Sequence, residues 1–229
     1  LTFDADYGLG FGTDEYFYKL LQSMEILVVT GAWDDVEQVL DDLKLKHQVI
    51  APSELTEVHL NPRQILLLNC GSQVGGKNSD VLLWYVVTGG YLMSTDWTIQ
   101  DTLERLWPAW LTSYKKDTTN DDVVRCEPCS GDRLLRNVFA DHARTKVWLE
   151  ITSFGIRITN PYLVDVLVDS EEMAQKYSLE PLCVSFDYGH GRVFHSMSHF
   201  YLQKQSLQNV RTKQELKIFA VDHLGLDVD

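Results

Sequence analysis

The sequence predicts an α/β fold in which a mostly parallel sheet lies between two layers of helices. Segments that are apolar throughout, above all Ile26–Thr30 and Ile65–Asn69, alternate with segments of helical periodicity. Such strands lack the polar alternation of a sheet with one face in water, which indicates burial on both faces. Glycines follow several of these strands, as is typical of loops that lead from a strand into a helix. Together these observations favour a three-layer sandwich.

The part of the chain before Pro108 is expected to supply four strands and three helices. Asp34 or Asp35 can cap the first helix, which runs through Leu43, and Ser79 can cap the second, which Gly89 ends. The expected strands are Ile26–Thr30, His47–Ile50, Ile65–Asn69 and Tyr91–Thr95, and the later helices are Asp80–Val87 and Trp97–Leu106.

The part after Pro108 is more irregular and is expected to extend the same sheet, partly with antiparallel strands. A polar loop is predicted over Lys115–Asp122, and Thr212–Leu224 has the periodicity of a closing amphipathic helix. The expected strands here are Val147–Ile151, Tyr162–Val168, Leu182–Phe186 and Arg192–Ser196.

Residues 1–23 differ from the remainder of the chain and are interpreted as an N-terminal extension of a domain that covers 24–229. They are rich in Gly, Asp and aromatic residues and show little periodicity. Segments with this many aromatics usually dock on a surface. That surface can belong to the same domain, to a protein partner or to a second copy of the chain.

The bulk composition restricts the class of partner. A net charge of −13 argues against nucleic acid and against an anionic membrane surface. The longest apolar run, Val81–Met93, is interrupted by glycines and is too short to cross a bilayer. We therefore expect a protein that binds neither nucleic acid nor membranes.

Cysteine usage is too sparse for a disulfide scaffold and favours a cytoplasmic location. The four cysteines are Cys70, Cys126, Cys129 and Cys183. Cys126 and Cys129 form a single CxxC with no second pair, so neither a structural zinc nor a redox role is expected of them, although they can be bridged. No cofactor and no metal centre are predicted.

Three segments resemble the class I glutamine amidotransferase-like superfamily, which includes trehalose-utilisation-type proteins and non-catalytic branches. They are ILLLNCGSQVGG from Ile65, GGYLMSTDW from Gly89 and GRVFHSMSH from Gly191. The resemblance covers roughly residues 24–225 and implies a flavodoxin-like sandwich. It also implies that backbone amides near Gly71, Gly75 and Gly76 point into the cleft, where they would bind a ligand or an oxyanion. An ordinary strand-to-helix loop is the alternative.

The catalytic residues of the superfamily are only partly present. Asp96 stands where the resemblance implies the nucleophilic Cys, at a strand-to-helix elbow. His199 stands at the position of the catalytic His, but Phe200 and Tyr201 follow it instead of the family's Pro and Glu. Asp96 can instead be a simple helix N-cap, and His199 can be structural. Glutamine hydrolysis by a Cys–His–Glu triad is therefore disfavoured.

Three functions remain open. The first, which the sequence favours, is a catalytically degenerate domain that binds a ligand or a protein. The second is a hydrolase that uses Asp96 and His199 as general acid and base, or as metal ligands with one further ligand, assisted by His195 or Tyr201. The third is a carbohydrate-related role, in which Trp33 and Trp97 flank the cleft and stack on sugar rings.

Overall fold

The structure, a computed structural model, describes residues 25–132, 135 and 146–199. The N-terminal extension (1–23), the closing helix Thr212–Leu224 and the candidate site residue Tyr201 lie outside the described residues, so their predictions stay predictions.

An eight-stranded sheet forms the centre of the fold, and two short ribbons accompany it. The strands are β1 Glu25–Val29, β2 His47–Ile50, β3 Gln64–Leu68, β4 Tyr91–Thr95, β5 Leu111–Thr118, β6 Asp122–Arg125, β7 Glu127–Pro128, β8 Lys146–Leu149, β9 Phe154–Ile158, β10 Asp165–Asp169, β11 Pro181–Tyr188 and β12 Gly191–Ser196.

The strand order in the main sheet is β2-β1-β3-β4-β12-β11-β10-β7. Strands β2, β1, β3, β4 and β12 are parallel to one another. In the remaining part of the sheet, β11, β10 and β7 each pair antiparallel with the strand before them in this order. Its parallel half has the order 2-1-3-4-5 of flavodoxin-like folds. The predicted fold class, with its antiparallel extension in the C-terminal half, is therefore confirmed.

Helices cover both faces of this sheet. They are α1 Val36–Asp42, α2 Lys77–Val87, α3 Glu104–Leu106 and α4 Glu171–Tyr177, with a 3-10 turn at Pro52–Thr56 and a π-helical turn at Ile99–Leu103. Alternate residues of β1 enter different cores. Ile26 and Val28 pack with α1, whereas Leu27 and Val29 belong to the larger core that includes α2. Burial on both faces explains why this strand is apolar throughout.

Several predicted boundaries need correction. Helix α2 begins at Lys77, because Gly76 adopts a φ of 61° and turns the chain there, so Ser79 lies inside the helix and does not cap it. The predicted loop Lys115–Asp122 is wrong, since Leu111–Thr118 form strand β5, paired with β9. A two-stranded ribbon at the surface tolerates polar residues, which hid this strand.

Other differences concern elements of the second half. Strand β8 pairs with β6 in a separate ribbon and does not extend the main sheet. Strand β9 and helix α4 were not predicted. Ser170 caps α4 by accepting a hydrogen bond from the Met173 amide. A Ser before a helix is a usual N-cap, but a helix of seven residues is too short to show a clear periodicity in the sequence. In the described part of the chain, every helix is too short or too polar to cross a membrane.

Candidate functional site

The candidate site lies where the carboxyl ends of three neighbouring parallel strands meet. Cys70 follows β3, Asp96 follows β4 and His199 follows β12. In open α/β sheets this edge is the usual place for a ligand. The strands adjoin in the order β3-β4-β12, so side chains that are far apart in the sequence converge here.

Asp96 forms the turn between β4 and the π-helical turn. Its φ of 38° is positive, a conformation that Asp tolerates better than most residues. Its amide donates a hydrogen bond to the Ser196 carbonyl oxygen over 2.8 Å, which joins the ends of β4 and β12. Thr98 donates to the Asn69 carbonyl over 3.3 Å, which holds the elbow against the end of β3.

The Asp96 carboxylate is the centre of a buried cluster. Its Oδ2 accepts a hydrogen bond from Ser153 Oγ at 2.9 Å and lies 3.8 Å from Cys70 Sγ. The same oxygen lies 3.3 Å from His199 Nε2. Its other oxygen, Oδ1, is buried and accepts no hydrogen bond among the described residues. The predicted pair Asp96 and His199 is thus brought together.

Glu150 completes this cluster from the other side of the imidazole. Its Oε1 lies 2.6 Å from His199 Nδ1, so the ring stands between two carboxylates. Both contacts are ion pairs by distance. Neither ring nitrogen of His199 meets the angles of a hydrogen bond to these oxygens. The side chains of Asp96, Glu150 and His199 are only 3–4% exposed.

Burial and charge act in opposite directions on His199. Burial opposes a charge on the ring, but the contacts with Asp96, Cys70 and Glu150 outweigh it and raise the pKa of His199 well above its usual value. The Cys70 thiol is different, because burial raises its pKa to about 12 in spite of the neighbouring His199. The unliganded cluster therefore contains a charged imidazolium and a neutral thiol.

The helix-capping alternative for Asp96 does not fit its contacts. The π-helical turn that follows has Thr98 at its N-cap and no side-chain capping hydrogen bond. The Asp96 carboxylate points to Ser153, Cys70 and His199 instead. Likewise, neither predicted Asp caps α1: Asp34 accepts a hydrogen bond from Thr95, and the Val36 amide donates to Asn69 Oδ1.

Aromatic side chains adjoin the cluster. The rings of Trp33 and Trp97 lie 5.7 Å apart, and Phe154 lies 6.0 Å beyond Trp97. Trp97 follows Asp96 directly, and its indole N–H donates to the Thr152 carbonyl, next to Ser153. Both tryptophans are half-buried, so part of each side chain remains exposed.

The three predicted loop glycines differ in their surroundings. Gly71 has a φ of 78°, and a Cβ there would lie 2.9 Å from the Trp33 ring. A Cβ on Gly75 would meet the Arg105 guanidinium, and one on Gly76 would meet nothing within 4 Å. Only Gly71 therefore packs beside the aromatic rings, and an oxyanion or ligand role for the loop stays a prediction.

His195 lies within the sheet, apart from the cluster. It occupies β12 opposite Ser94, and its Nδ1 is 3.0 Å from Ser94 Oγ. The ring is completely buried, and this burial lowers the pKa of His195 to about 3. Its predicted assistance to the site stays untested.

We expect His195 to make the fold acid-sensitive. Its folded pKa of about 3 lies below the ordinary value, so only the unfolded chain takes up this proton as the pH falls below about 6.5. The contribution of His195 to stability is therefore complete above that pH and declines towards pH 3, by about 2 kcal/mol at pH 5, whereas the raised pKa of His199 adds stability over the same interval. Urea unfolding at pH 8 and pH 5 tests this. The difference in stability between His195→Asn and the wild type should shift in favour of the variant by about 2 kcal/mol from pH 8 to pH 5, and a difference that stays constant would contradict the expectation.

Sequence analysis missed two residues of the cluster. In the sequence, Cys70 is one of four cysteines and lies within the segment ILLLNCGSQVGG, Glu150 lies in the predicted strand Val147–Ile151, and neither is a candidate site residue. Both stand at the carboxyl end of a strand, a position that could have singled them out. Glu150 contacts the imidazole although no Glu follows His199 in the sequence. All four cysteines are free, including Cys126 and Cys129.

Comparison with known proteins gives similarity in structure only. No family model and no curated protein matches the sequence. Cytoplasmic protein STM1381 of Salmonella typhimurium LT2 has a TM-score of 0.55 at 12% identity, over 78% of this chain and 89% of that chain. A ThuA-like protein of Bacteroides uniformis ATCC 8492 has a TM-score of 0.52 at 8% identity, over 76% and 81%.

A third similarity is to a part of a larger enzyme. A cold-adapted β-galactosidase of Rahnella sp. R3 has a TM-score of 0.53 at 13% identity, over 80% of this chain but only 29% of that one. At such identities these likenesses show a shared fold alone. The ThuA-like neighbour agrees, at the level of fold, with the predicted resemblance to trehalose-utilisation-type proteins.

Proposed function

We propose that the chain is a hydrolase whose general base and general acid are Asp96 and His199. The observation that carries this proposal is the contact of 3.3 Å between Asp96 Oδ2 and His199 Nε2 at the carboxyl edge of the sheet. Catalytic pairs of this kind are recognised first by geometry and then by pKa. The sequence alone favoured a non-catalytic domain, and this convergence changes our preference.

The charge state of the cluster assigns the two roles. His199 carries a raised pKa and enters the reaction protonated, as the general acid. Asp96 is the general base and takes a proton from water, whose oxygen forms a bond to the electrophilic carbon of the substrate. The bond to the leaving group breaks with its electron pair, and His199 supplies the proton that the leaving group needs. Asp96 then returns its proton to His199, which restores the pair.

Further residues would position this pair. Glu150 at 2.6 Å holds the far nitrogen of the imidazole, as the third member of a catalytic triad does. The hydroxyl of Ser153 fixes the carboxylate of Asp96. The positive φ of Asp96 resembles the strained elbow on which related folds carry a nucleophile.

The aromatic side chains favour a substrate with an apolar or sugar-like face. Trp33 and Trp97 are half-buried, their rings lie 5.7 Å apart, and Trp97 follows Asp96 directly. Indole rings stack on the C–H faces of sugar rings and on flat apolar groups. A glycoside or an ester of a cyclic alcohol is therefore the substrate class that we would assay first.

A ligand-binding domain without catalysis is the second candidate. It is favoured by the nearly complete burial of Asp96, Glu150 and His199, which restricts access of water and substrate. A protein partner or self-association through residues 1–23 belongs to this candidate. A cytoplasmic location is part of either proposal, since all four thiols are free.

We expect Asp96→Asn to lower turnover by about 10²- to 10⁴-fold, because it removes the general base. Asn tolerates a positive φ nearly as well as Asp, so the elbow should remain folded. The measurement is hydrolysis of p-nitrophenyl esters and p-nitrophenyl glycosides by the purified chain, with the melting temperature of each variant.

Asp101→Asn is the matched control, because Asp101 is a half-buried Asp one helical turn further on and lies outside the cluster. It should retain wild-type turnover. Full activity in Asp96→Asn would contradict the proposal. The binding domain would be established instead by two results together. The wild type would hydrolyse neither class of substrate, and a sugar or ester would raise the melting temperature of the wild type but not that of Asp96→Asn.

A further inference from the structure

We propose that Cys70, Asp96 and His199 bind one divalent zinc-type ion, with Glu150 as the residue that orients the histidine. The ligand atoms would be Cys70 Sγ, Asp96 Oδ2 and His199 Nε2. One ligand atom from each residue lies within 4.8 Å of the others. Cys70 is the third ligand that an Asp–His pair needs to hold a metal ion.

The separations between the ligand atoms match a tetrahedral ion. Bond lengths to zinc of about 2.3 Å for sulfur and about 2.0–2.2 Å for nitrogen and oxygen place a tetrahedral N···O pair about 3.4 Å apart and an S···O pair about 3.6 Å apart. The corresponding distances here are 3.3 Å for His199 Nε2 to Asp96 Oδ2 and 3.8 Å for Cys70 Sγ to Asp96 Oδ2. These two separations lie within about 0.2 Å of the tetrahedral values, and the third pair, Cys70 and His199, lies within 4.8 Å.

The residues around the ligand atoms have the arrangement found behind metal ligands. A histidine that binds a metal through one nitrogen usually donates its other N–H to a carboxylate, which fixes the ring. Glu150 Oε1 lies 2.6 Å from His199 Nδ1, the nitrogen that would face away from the ion. Ser153 Oγ donates to Asp96 Oδ2 at 2.9 Å and holds the carboxylate in the same way.

The buried Asp96 Oδ1 is an independent indication of a missing cation. It is enclosed by protein but accepts no hydrogen bond among the described residues. A buried carboxylate oxygen without a donor is costly, because it has lost its hydration. A metal ion that binds Oδ2 and also contacts Oδ1 would give this oxygen the partner that it lacks.

The ligand types select the class of ion. When the ion binds, the Cys70 thiol and the His199 imidazolium would each release a proton to solvent. The resulting thiolate and imidazole, with the carboxylate, suit Zn²⁺ and Co²⁺, whereas Mg²⁺ and Ca²⁺ prefer oxygen ligands alone. Three protein ligands leave a fourth position open, as in catalytic zinc sites. The inference rests on the proposed hydrolysis but changes its mechanism: with the ion bound, Asp96 and His199 would be ligands, and a water in the open position would be activated by the ion instead of by Asp96. Binding of the ion itself does not require hydrolysis.

The test uses Co²⁺ and Zn²⁺ with the full chain after removal of metals by EDTA. Co²⁺ should bind one per chain and produce the near-ultraviolet band of a cobalt–thiolate bond, and one equivalent of Zn²⁺ should abolish that band. Cys70→Ser should lose the band and bind Zn²⁺ at least about 10-fold more weakly by calorimetry. Glu150→Gln should keep the band while its affinity falls by about 10- to 100-fold.

Cys183→Ser is the matched control, since Cys183 is a buried-strand thiol that contacts Ser196 and is not part of the cluster. It should keep both the band and the affinity. Circular dichroism identifies any variant that fails to fold, and for such a variant Cys70→Ala serves in its place. Absence of a band in the folded wild type would overturn the proposal. So would a band that survives in Cys70→Ser but is lost in Cys129→Ser, because Cys129 would then supply the thiolate.

The failure of this inference can be separated from the failure of the proposed function. Binding of one Zn²⁺ per chain without any turnover would contradict the hydrolase and leave the metal site. Turnover that is unchanged in EDTA, in a chain that gives no cobalt band, would contradict the metal site and leave the hydrolase.

Discussion

Replacing Gly191 by alanine is expected to abolish stable folding. Gly191 begins β12, and a Cβ there would lie closer than 3.0 Å to the carbonyl oxygens of Val86 and Gly90. Both atoms belong to backbone, so no side-chain rotation relieves the overlap. We expect a loss of at least about 4 kcal/mol, which is a large part of the total stability of a typical domain. Urea unfolding followed by circular dichroism measures it.

The effect should reach the candidate site as well. Strand β12 pairs in parallel with β4, and this pairing brings His199 to the end of the strand that leads into Asp96. Gly131→Ala is the matched control, because a Cβ at Gly131 would meet nothing within 4 Å, and it should be neutral. A Gly191→Ala protein that melts within a few degrees of the wild type would show that β12 is packed less tightly here than the structure indicates.

Replacing Trp107 by alanine is expected to cost about 3–5 kcal/mol, the usual range for removing a large aromatic from a core. Trp107 is completely buried and packs edge-on against Phe186 at 5.5 Å and Tyr188 at 5.8 Å. It follows α3 and so anchors the helical segment after Asp96 onto β11. The midpoint of urea unfolding should fall accordingly.

Two further variants test the reason for that loss. Trp84→Ala removes the same side chain from a position that is 71% exposed and should change stability by less than about 0.5 kcal/mol. Trp107→Phe keeps most of the ring and removes an indole N–H that is buried without an acceptor among the described residues, so it should cost less than half as much as alanine. Equal losses for alanine and phenylalanine would contradict this account.

The parallel half of the fold was predictable because its strands are buried on both faces and therefore consist of successive apolar residues. Ile26–Thr30 and Ile65–Asn69 are apolar at successive positions, and the strands β1 and β3 lie within one residue of these predictions. The second half was less predictable, because β5 and β8 pair in ribbons with polar neighbours and α4 spans only Glu171–Tyr177. In such elements packing with the rest of the protein outweighs local pattern.

The candidate site was predictable only in part. Asp96 and His199 could be named because a family pattern assigns positions after two strands, and the structure brings them to 3.3 Å. Cys70 and Glu150 share only the general signal of a strand end, which many residues have, because their contacts depend on how neighbouring strands and a separate ribbon are placed. Composition also gives no sign that the carboxylate of Glu150, which directly follows β8, would take the place of the missing Glu after His199.

Cys70, Asp96, Glu150 and His199 come from four separate segments of the chain, and Cys70 and His199 are separated by more than half of its length. Contacts between such distant positions form slowly, because a long loop must close before they contribute. The cluster therefore assembles only when β12 has joined β4, after local helices have formed. During refolding with Co²⁺, the expected cobalt–thiolate band of this cluster would mark the pairing of β12 with β4. Far-ultraviolet circular dichroism would report the helices that form earlier.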